Sequence, residues 1–193
     1  MLFRSCLVHA TQMTRDETSR LGATGAVAGL CPITESNLGD GMFPAVEFLE
    51  AKGRFGVGSD SNVLISLRDE LRTLCYSQRL RDRARNRMAT PTRTSGRLLF
   101  EDAAAGGTQA LDLPIGAISP GRQADLVVLD QDDPALVGRR DDAVLDSWIF
   151  AAPNSPIREV YLSGRRIVEG GRHVARSRVE DRFRRAMTRL AAL

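Results

Sequence analysis

The chain has 193 residues, 42% hydrophobic and 26% charged, which excludes a disordered or low-complexity segment and fits one ordinary domain or somewhat more. Its net charge of +3 comes almost entirely from arginine, Lys52 being the single lysine. The densest basic run, Arg79 to Arg87, has no interleaved aromatics for base stacking, so no nucleic-acid partner is expected. No apolar run approaches the roughly 18 residues needed to cross a membrane, and MLFRSCLV is too short for a secretory signal. A cytoplasmic location without a membrane partner is therefore expected. Cys6, Cys31 and Cys75 stand 25 and 44 residues apart with no CxxC pair, which fits reduced, buried thiols and excludes a zinc knuckle.

In chain order, Cys6 to His9 reads as a short strand. Thr14 and Glu17 form a T-x-x-E capping box for a helix that stops near Gly22. AVAGLCP, from Ala26 to Pro32, is a second continuous apolar run. Pro44 suits the first turn of a helix through Lys52, with Gly53 placed to end it. RFGVGSD, from Arg54 to Asp60, is a third strand, and Ser66 and Asp69 cap a longer helix with the apolar stripe Leu67, Leu71, Leu74 and Cys75. A further helix starts near Thr94 and ends near Gly106. From Ile115 the chain turns β-rich, through QADLVVLD, DSWIFA and a hairpin REVYLSGRRIVEGG centred on Ser163-Gly164. Ser177 to Leu193 opens with S-x-x-E and carries Val179, Phe183, Met187 and Leu190 at helical spacing.

Short apolar strands alternating with amphipathic helices predict βαβ units and a parallel sheet. Functional groups gather at the carboxyl ends of such strands. Here those ends offer His9, then TESNLGDG from Thr34 to Gly41, then SDSN from Ser59 to Asn62. An aspartate at a strand end can bind a divalent metal and take a proton from its water, and a nearby histidine can hydrogen-bond that water or a substrate oxygen. A satisfied buried histidine and a turn-capping aspartate account for the same two residues equally well.

LVHATQMTRDE, GAVAGLCPITESNLGDGMFPA and RFGVGSDSN, in this order, resemble the C-terminal half of amidohydrolase-superfamily deaminases. The likeness continues through PIGAISPGRQADLVVLD and VYLSGRRIVEGG and covers nearly all 193 residues. Within the superfamily, CPITESNLGDG and YSQRL are most similar to the formimidoylglutamate deiminases of histidine degradation. The resemblance implies an α/β fold: strands six to eight of a (β/α)8 TIM-like barrel over residues 1–110, part of a small β-sandwich over 111–176, and a C-terminal helix over 177–193. It implies His9 and Asp60 as catalytic residues, Asp60 also as a zinc ligand, and Glu35, Asn37, Asp40 and Gln78 as positions facing a small-molecule substrate. The implied reaction is hydrolytic deimination of N-formimidoyl-L-glutamate to N-formyl-L-glutamate and ammonia.

The family's H-x-H after strand one, its strand-five histidine and its acid/base glutamate have no counterpart in this chain, and Gln12 and Asn62 stand where further histidines are expected in the subgroup. His173, after a Gly-Gly turn, is expected at the surface. Zinc needs about three protein ligands. The complete enzyme is therefore expected to hold zinc, and this chain alone to be inactive and not to bind it tightly. A deaminase acting on a heterocyclic amine is the enzymatic alternative, and a remnant or interaction module the non-enzymatic one. An open barrel edge before strand six would favour self-association into homodimers or larger species.

Overall fold

The computed structural model describes residues 5–61 and 63–192. Two sheets organise it. The first is parallel, in the order β1 (Cys6–Val8), β2 (Val27–Leu30), β3 (Arg54–Val57). Its connections are α1 (Arg15–Ala23) between β1 and β2, and α2 (Pro32–Leu38) and α3 (Ala45–Glu50) between β2 and β3. The two long helices α4 (Leu67–Asp82) and α5 (Ser95–Leu111) follow β3. The expected βαβ arrangement is thus present, with all three strand carboxyl ends on one side.

The caps behave as their residue types require. Thr14 accepts from the Glu17 amide while the Glu17 carboxylate accepts from the Thr14 amide, closing the capping box. Ser66 accepts from the Asp69 amide at the start of α4. Pro32 occupies the first turn of α2, where its missing N–H costs nothing. On α4, Leu71, Leu74 and Cys75 are buried as the stripe predicts, whereas Leu67 lies exposed at the helix start. The core they join contains Phe43, Phe48, Phe55, Met88, Leu99, Trp148 and Ile149, with Phe43 and Phe48 meeting edge to face at 5.1 Å.

Helix α5 runs five residues past Gly106, beyond the expected stop. Gly106 serves approach rather than termination. A Cβ on Gly106 would lie 1.9 Å from the Phe55 carbonyl oxygen, and one on Gly56 would lie 3.2 Å from the Gly107 nitrogen. The backbone of α5 therefore rests directly on β3, a distance only glycine permits.

The segment DSWIFA is not a strand. Helix α6 (Asp142–Asp146) leads into a π-helical turn, Ser147–Ala151, that buries the consecutive residues Ser147, Trp148 and Ile149. A strand would have turned alternate residues outward. Asp142 and Asp146 accept from the Thr94 and Gly96 amides, fixing this segment against the start of α5.

The second sheet is antiparallel, in the order β4 (Leu126–Leu129), β5 (Ile157–Leu162), β6 (Arg165–Glu169), β7 (Arg172–His173). The β5–β6 turn places Ser163 and Gly164 at φ 51° and 75°, the left-handed pair that a two-residue hairpin needs. His173 is exposed. Helix α7 (Arg176–Leu190) begins one residue before the expected S-x-x-E box, which does not form, because Ser177 accepts from Arg172 and Glu180 pairs with Arg176. It buries no residue, and Val179, Phe183, Met187 and Leu190 are exposed. No helix among the described residues is long and apolar enough to cross a membrane.

The α5–β3 contact yields a paired prediction. Gly106→Ala should destabilise the protein by about 2–3 kcal/mol through overpacking. Gly107→Ala, whose Cβ meets nothing within 4 Å, should stabilise it by up to about 1 kcal/mol through helix propensity. Urea or thermal unfolding of the two single variants measures both; equal effects would refute the close-approach account.

Candidate active site

The carboxyl ends of β1 and β3 each turn sharply into the space above the sheet. His9 donates its amide to the Gly29 carbonyl as the last link to β2, and the chain then reverses with His9 and Ala10 at φ 64° and 51°. Asp60, just beyond β3, has φ 46°. Arg83 and Asp112 adopt similar angles to end helices. His9, Ala10 and Asp60 instead lie in loops leaving strands, where backbone strain of this kind typically accompanies function.

The turn brings His9 between two carboxylates. Its Nδ1 lies 3.3 Å from Glu35 Oε1 and its Nε2 lies 3.9 Å from Asp60 Oδ2. Asp60 is half exposed and His9 one-third exposed, so their shared side opens to solvent. Glu35 is 3% exposed and also accepts the Cys31 amide at 2.9 Å. It therefore sits behind His9, and does not face solvent as a substrate contact would. Burial raises the Glu35 carboxyl above the ordinary carboxylate range, opposed by its hydrogen bonds to the Cys31 amide and His9.

Two residues that the sequence did not single out for roles here complete the frame. Thr34, 1% exposed, donates its hydroxyl to the Ser59 carbonyl at 3.1 Å and accepts the Ser61 amide at 3.2 Å, so it grips the chain on both sides of Asp60. Glu70 of α4, 2% exposed, accepts the Ile33 amide at 2.9 Å and ties the first turn of α2 to α4. Burial, with Glu35 and Asp69 nearby, raises its carboxyl too. Glu70 lies three residues after Leu67 on the apolar stripe of α4; an acid on such a stripe is a signal that the sequence carries. Thr34 opens the TESNLGDG run that the sequence offers at the end of β2, but nothing in that run marks it as the residue that holds the Asp60 loop.

The remaining expected substrate positions divide. Asn37 and Asp40 are exposed, and the Asp40 carbonyl accepts from Thr11 Oγ1 at 2.7 Å and Gln12 Nε2 at 2.6 Å. Gln12 therefore joins the loop after β1 to the loop after α2. Gln78 is fully buried, its amide nitrogen donating to the Phe43 carbonyl at 2.9 Å. It falls one helical turn after Leu74 and Cys75 on the buried stripe of α4, so it holds the core and presents no substrate-facing surface. Asn62 lies outside the described residues.

Of the thiols, Cys31 and Cys75 are buried as expected, but Cys6 is exposed, because all of β1 is exposed. Cys31 adjoins the site, yet burial, followed by the charges of Glu35, Asp60 and Glu70, pushes its thiol up to about 11. At neutral pH it is protonated and is no nucleophile.

The donor set does not make a zinc site. His9 Nε2 and Asp60 Oδ2 are two groups where about three protein ligands are needed. Among the described residues no group of three His, Cys, Asp or Glu side chains is placed to hold a metal. What the pair can do unaided is share one water or substrate oxygen across its 3.9 Å gap and move a proton there.

Thr34→Val keeps the shape of the side chain and removes both bonds that flank Asp60. It should cost about 1–3 kcal/mol of stability and speed hydrogen exchange at the Ser61 amide, with Thr34→Ser restoring both. Unchanged exchange at Ser61 would mean that Thr34 does not hold this loop.

Comparison with known proteins bears on this geometry. Residues 1–167 match the model of the amidohydrolase family. Over 181 residues the chain is 50% identical to formimidoylglutamate deiminase of Pseudomonas aeruginosa, covering 93% of this chain and 40% of that protein. An amidohydrolase from Brucella melitensis superposes with a TM-score of 0.91 at 46% identity, over 99% of this chain and 42% of its own. Atrazine chlorohydrolase from Arthrobacter aurescens TC1, complexed with zinc, superposes with a TM-score of 0.72 at 26% identity, over 89% and 38%. The chain thus spans about two fifths of the length of these relatives. With a parallel α/β sheet that carries His9 and Asp60 at its strand ends, and with these matches over most of its length, the chain belongs to the amidohydrolase family.

Proposed function

We propose that the chain forms the C-terminal part of a (β/α)8 amidohydrolase barrel, with β1, β2 and β3 as its sixth to eighth strands. Residues 1–110 then belong to the barrel, 111–176 to a composite β-sandwich and 177–193 to a terminal helix. The reaction proposed for the completed protein is hydrolytic deimination of N-formimidoyl-L-glutamate. Water adds to the formimidoyl carbon, the terminal C–N bond breaks, and ammonia and N-formyl-L-glutamate leave. Asp60 takes the proton of the attacking water and returns it to the departing nitrogen, while His9 hydrogen-bonds the oxygen of the tetrahedral intermediate. The observation that carries this reading is His9 facing Asp60 at 3.9 Å above a parallel sheet. The choice of substrate rests on the 50% identity to the deiminase.

Zinc is proposed for the completed enzyme, on the strength of the zinc-bound relative. Asp60 is the one ligand assigned to this chain, and the described residues support no step through the metal.

Complementation tests the proposal. The chain would be mixed with the N-terminal three fifths of the Pseudomonas aeruginosa deiminase and zinc, and ammonia release followed from N-formimidoyl-L-glutamate and from a panel of heterocyclic amines. Turnover of the formimidoyl substrate by the mixture is expected, with none by the chain alone, and Asp60→Asn should lower it by about 10²-fold or more. Turnover of an amine alone would transfer the site to a heterocyclic deaminase. No turnover of any substrate, with the two parts shown to associate, would favour the non-enzymatic reading.

Self-association is proposed on the same grounds. Among the described residues β1 pairs only with β2, and Leu7 and Val8 are exposed beside its open edge. Sedimentation velocity should show dimers or larger species that the N-terminal part displaces. A concentration-independent monomer would contradict this.

A further inference from the structure

The proposed mechanism uses the Nε2 side of His9 and leaves its Nδ1 side unexplained. There the ring meets Glu35, whose placement owes nothing to His9. Glu35 belongs to the first turn of α2, its amide donates to the Cys31 carbonyl at 2.9 Å, and its Oε1 accepts the Cys31 amide at 2.9 Å. Held from both backbone groups of one residue and 3% exposed, the carboxylate is a fixed acceptor aimed at His9 Nδ1, 3.3 Å away. The same Oε1 already accepts the Cys31 amide, so a bare Nδ1 facing it would set lone pair against lone pair. The proton of neutral His9 must then sit on Nδ1.

We infer that Glu35 is the positioning residue for His9, locking its imidazole in the Nδ1–H form so that a bare Nε2 faces the gap to Asp60. A free histidine prefers the opposite tautomer, with the proton on Nε2. In the Glu35-locked form, bare Nε2 can accept a hydrogen bond from the hydroxyl of the tetrahedral intermediate in that gap and take its proton as the formyl carbonyl forms, Asp60 carrying the other proton of the attacking water. The ring then presents an N–H to that oxygen, its orientation kept by Glu35 behind it. This catalytic meaning rests on the proposed hydrolytic reaction; the tautomer does not.

The second histidine supplies an internal control. The Ala175 amide donates to His173 Nδ1 at 3.1 Å, so His173 carries its proton on Nε2. The chain's two histidines are therefore assigned opposite tautomers.

The test is a long-range ¹H–¹⁵N correlation spectrum of the full chain labelled with ¹⁵N-histidine, at a pH well above the ordinary histidine range. Nε2 is recognised by its coupling to both ring C–H protons. For His9 it should resonate as a bare nitrogen and Nδ1 as a protonated one, with the reverse for His173. Glu35→Gln keeps a carbonyl acceptor and should preserve the His9 pattern. Glu35→Met, close in shape but without an acceptor, should return His9 to the Nε2–H form and leave His173 unchanged. Protonated Nε2 on His9 in the unmutated chain overturns the inference, as does a Glu35→Met spectrum unchanged at His9. If Glu35→Met does not fold, the unmutated spectrum decides alone. A locked tautomer without turnover in the complementation mixture would sink the proposed reaction and leave the positioning intact.

Discussion

Two adjacent residues in the first turn of one short helix hold both halves of the candidate site. Thr34 grips the chain on either side of Asp60, and Glu35 meets the imidazole of His9. β2 is the central strand, so the helix that leaves it stands over the gap between its neighbours, where consecutive side chains can reach left and right. The remainder of the site depends on that turn staying in place. Pro32 starts it without wasting an amide, Gly39 ends the helix at φ 74°, and Glu70 holds the Ile33 amide from α4.

The energetic foundation of the turn lies below it. β3 is fixed by the backbone of α5, which lies so close that Gly106 could carry no side chain. α4 and the π-helical turn then close the core around Phe43, Phe48, Phe55 and Trp148. The polar bonds at the strand ends are individually modest, about 1 kcal/mol each. Their precision comes from being made between elements whose spacing the core already dictates. The same logic accounts for the electrostatics. Glu35 and Glu70 are drawn inside by backbone amides that need acceptors, and burial raises both carboxyls and the Cys31 thiol between them.

Surface apolar groups follow a different distribution. β1 is exposed along its length, the antiparallel sheet buries none of its residues fully, and α7 displays Val179, Phe183 and Met187. This accords with a chain that spans about two fifths of the length of its relatives. The His9–Asp60 pair has the same character: its two groups stand 3.9 Å apart and, among the described residues, fall short of the donors a metal centre needs.

Local signals in the sequence determined a good deal. Capping residues and hydrophobic period placed β1 to β3, α1, α4 and the Ser163-Gly164 hairpin, because each depends on residues within a few positions of one another. Strand ends rich in polar groups pointed to His9 and Asp60 for the same reason. The tertiary structure alone decided matters set by distant partners. Gly106 reads as a helix stop until β3 is laid against it, and DSWIFA reads as a strand until Asp142 and Asp146 find the amides of α5. Gln78 reads as a substrate contact until its place on the buried stripe of α4 is seen. Glu35 has the composition of a surface acid, and only the fold puts its carboxylate behind His9. Sequence specifies which groups are available near a strand end, but which of them face solvent and which support the others is a property of three-dimensional neighbours.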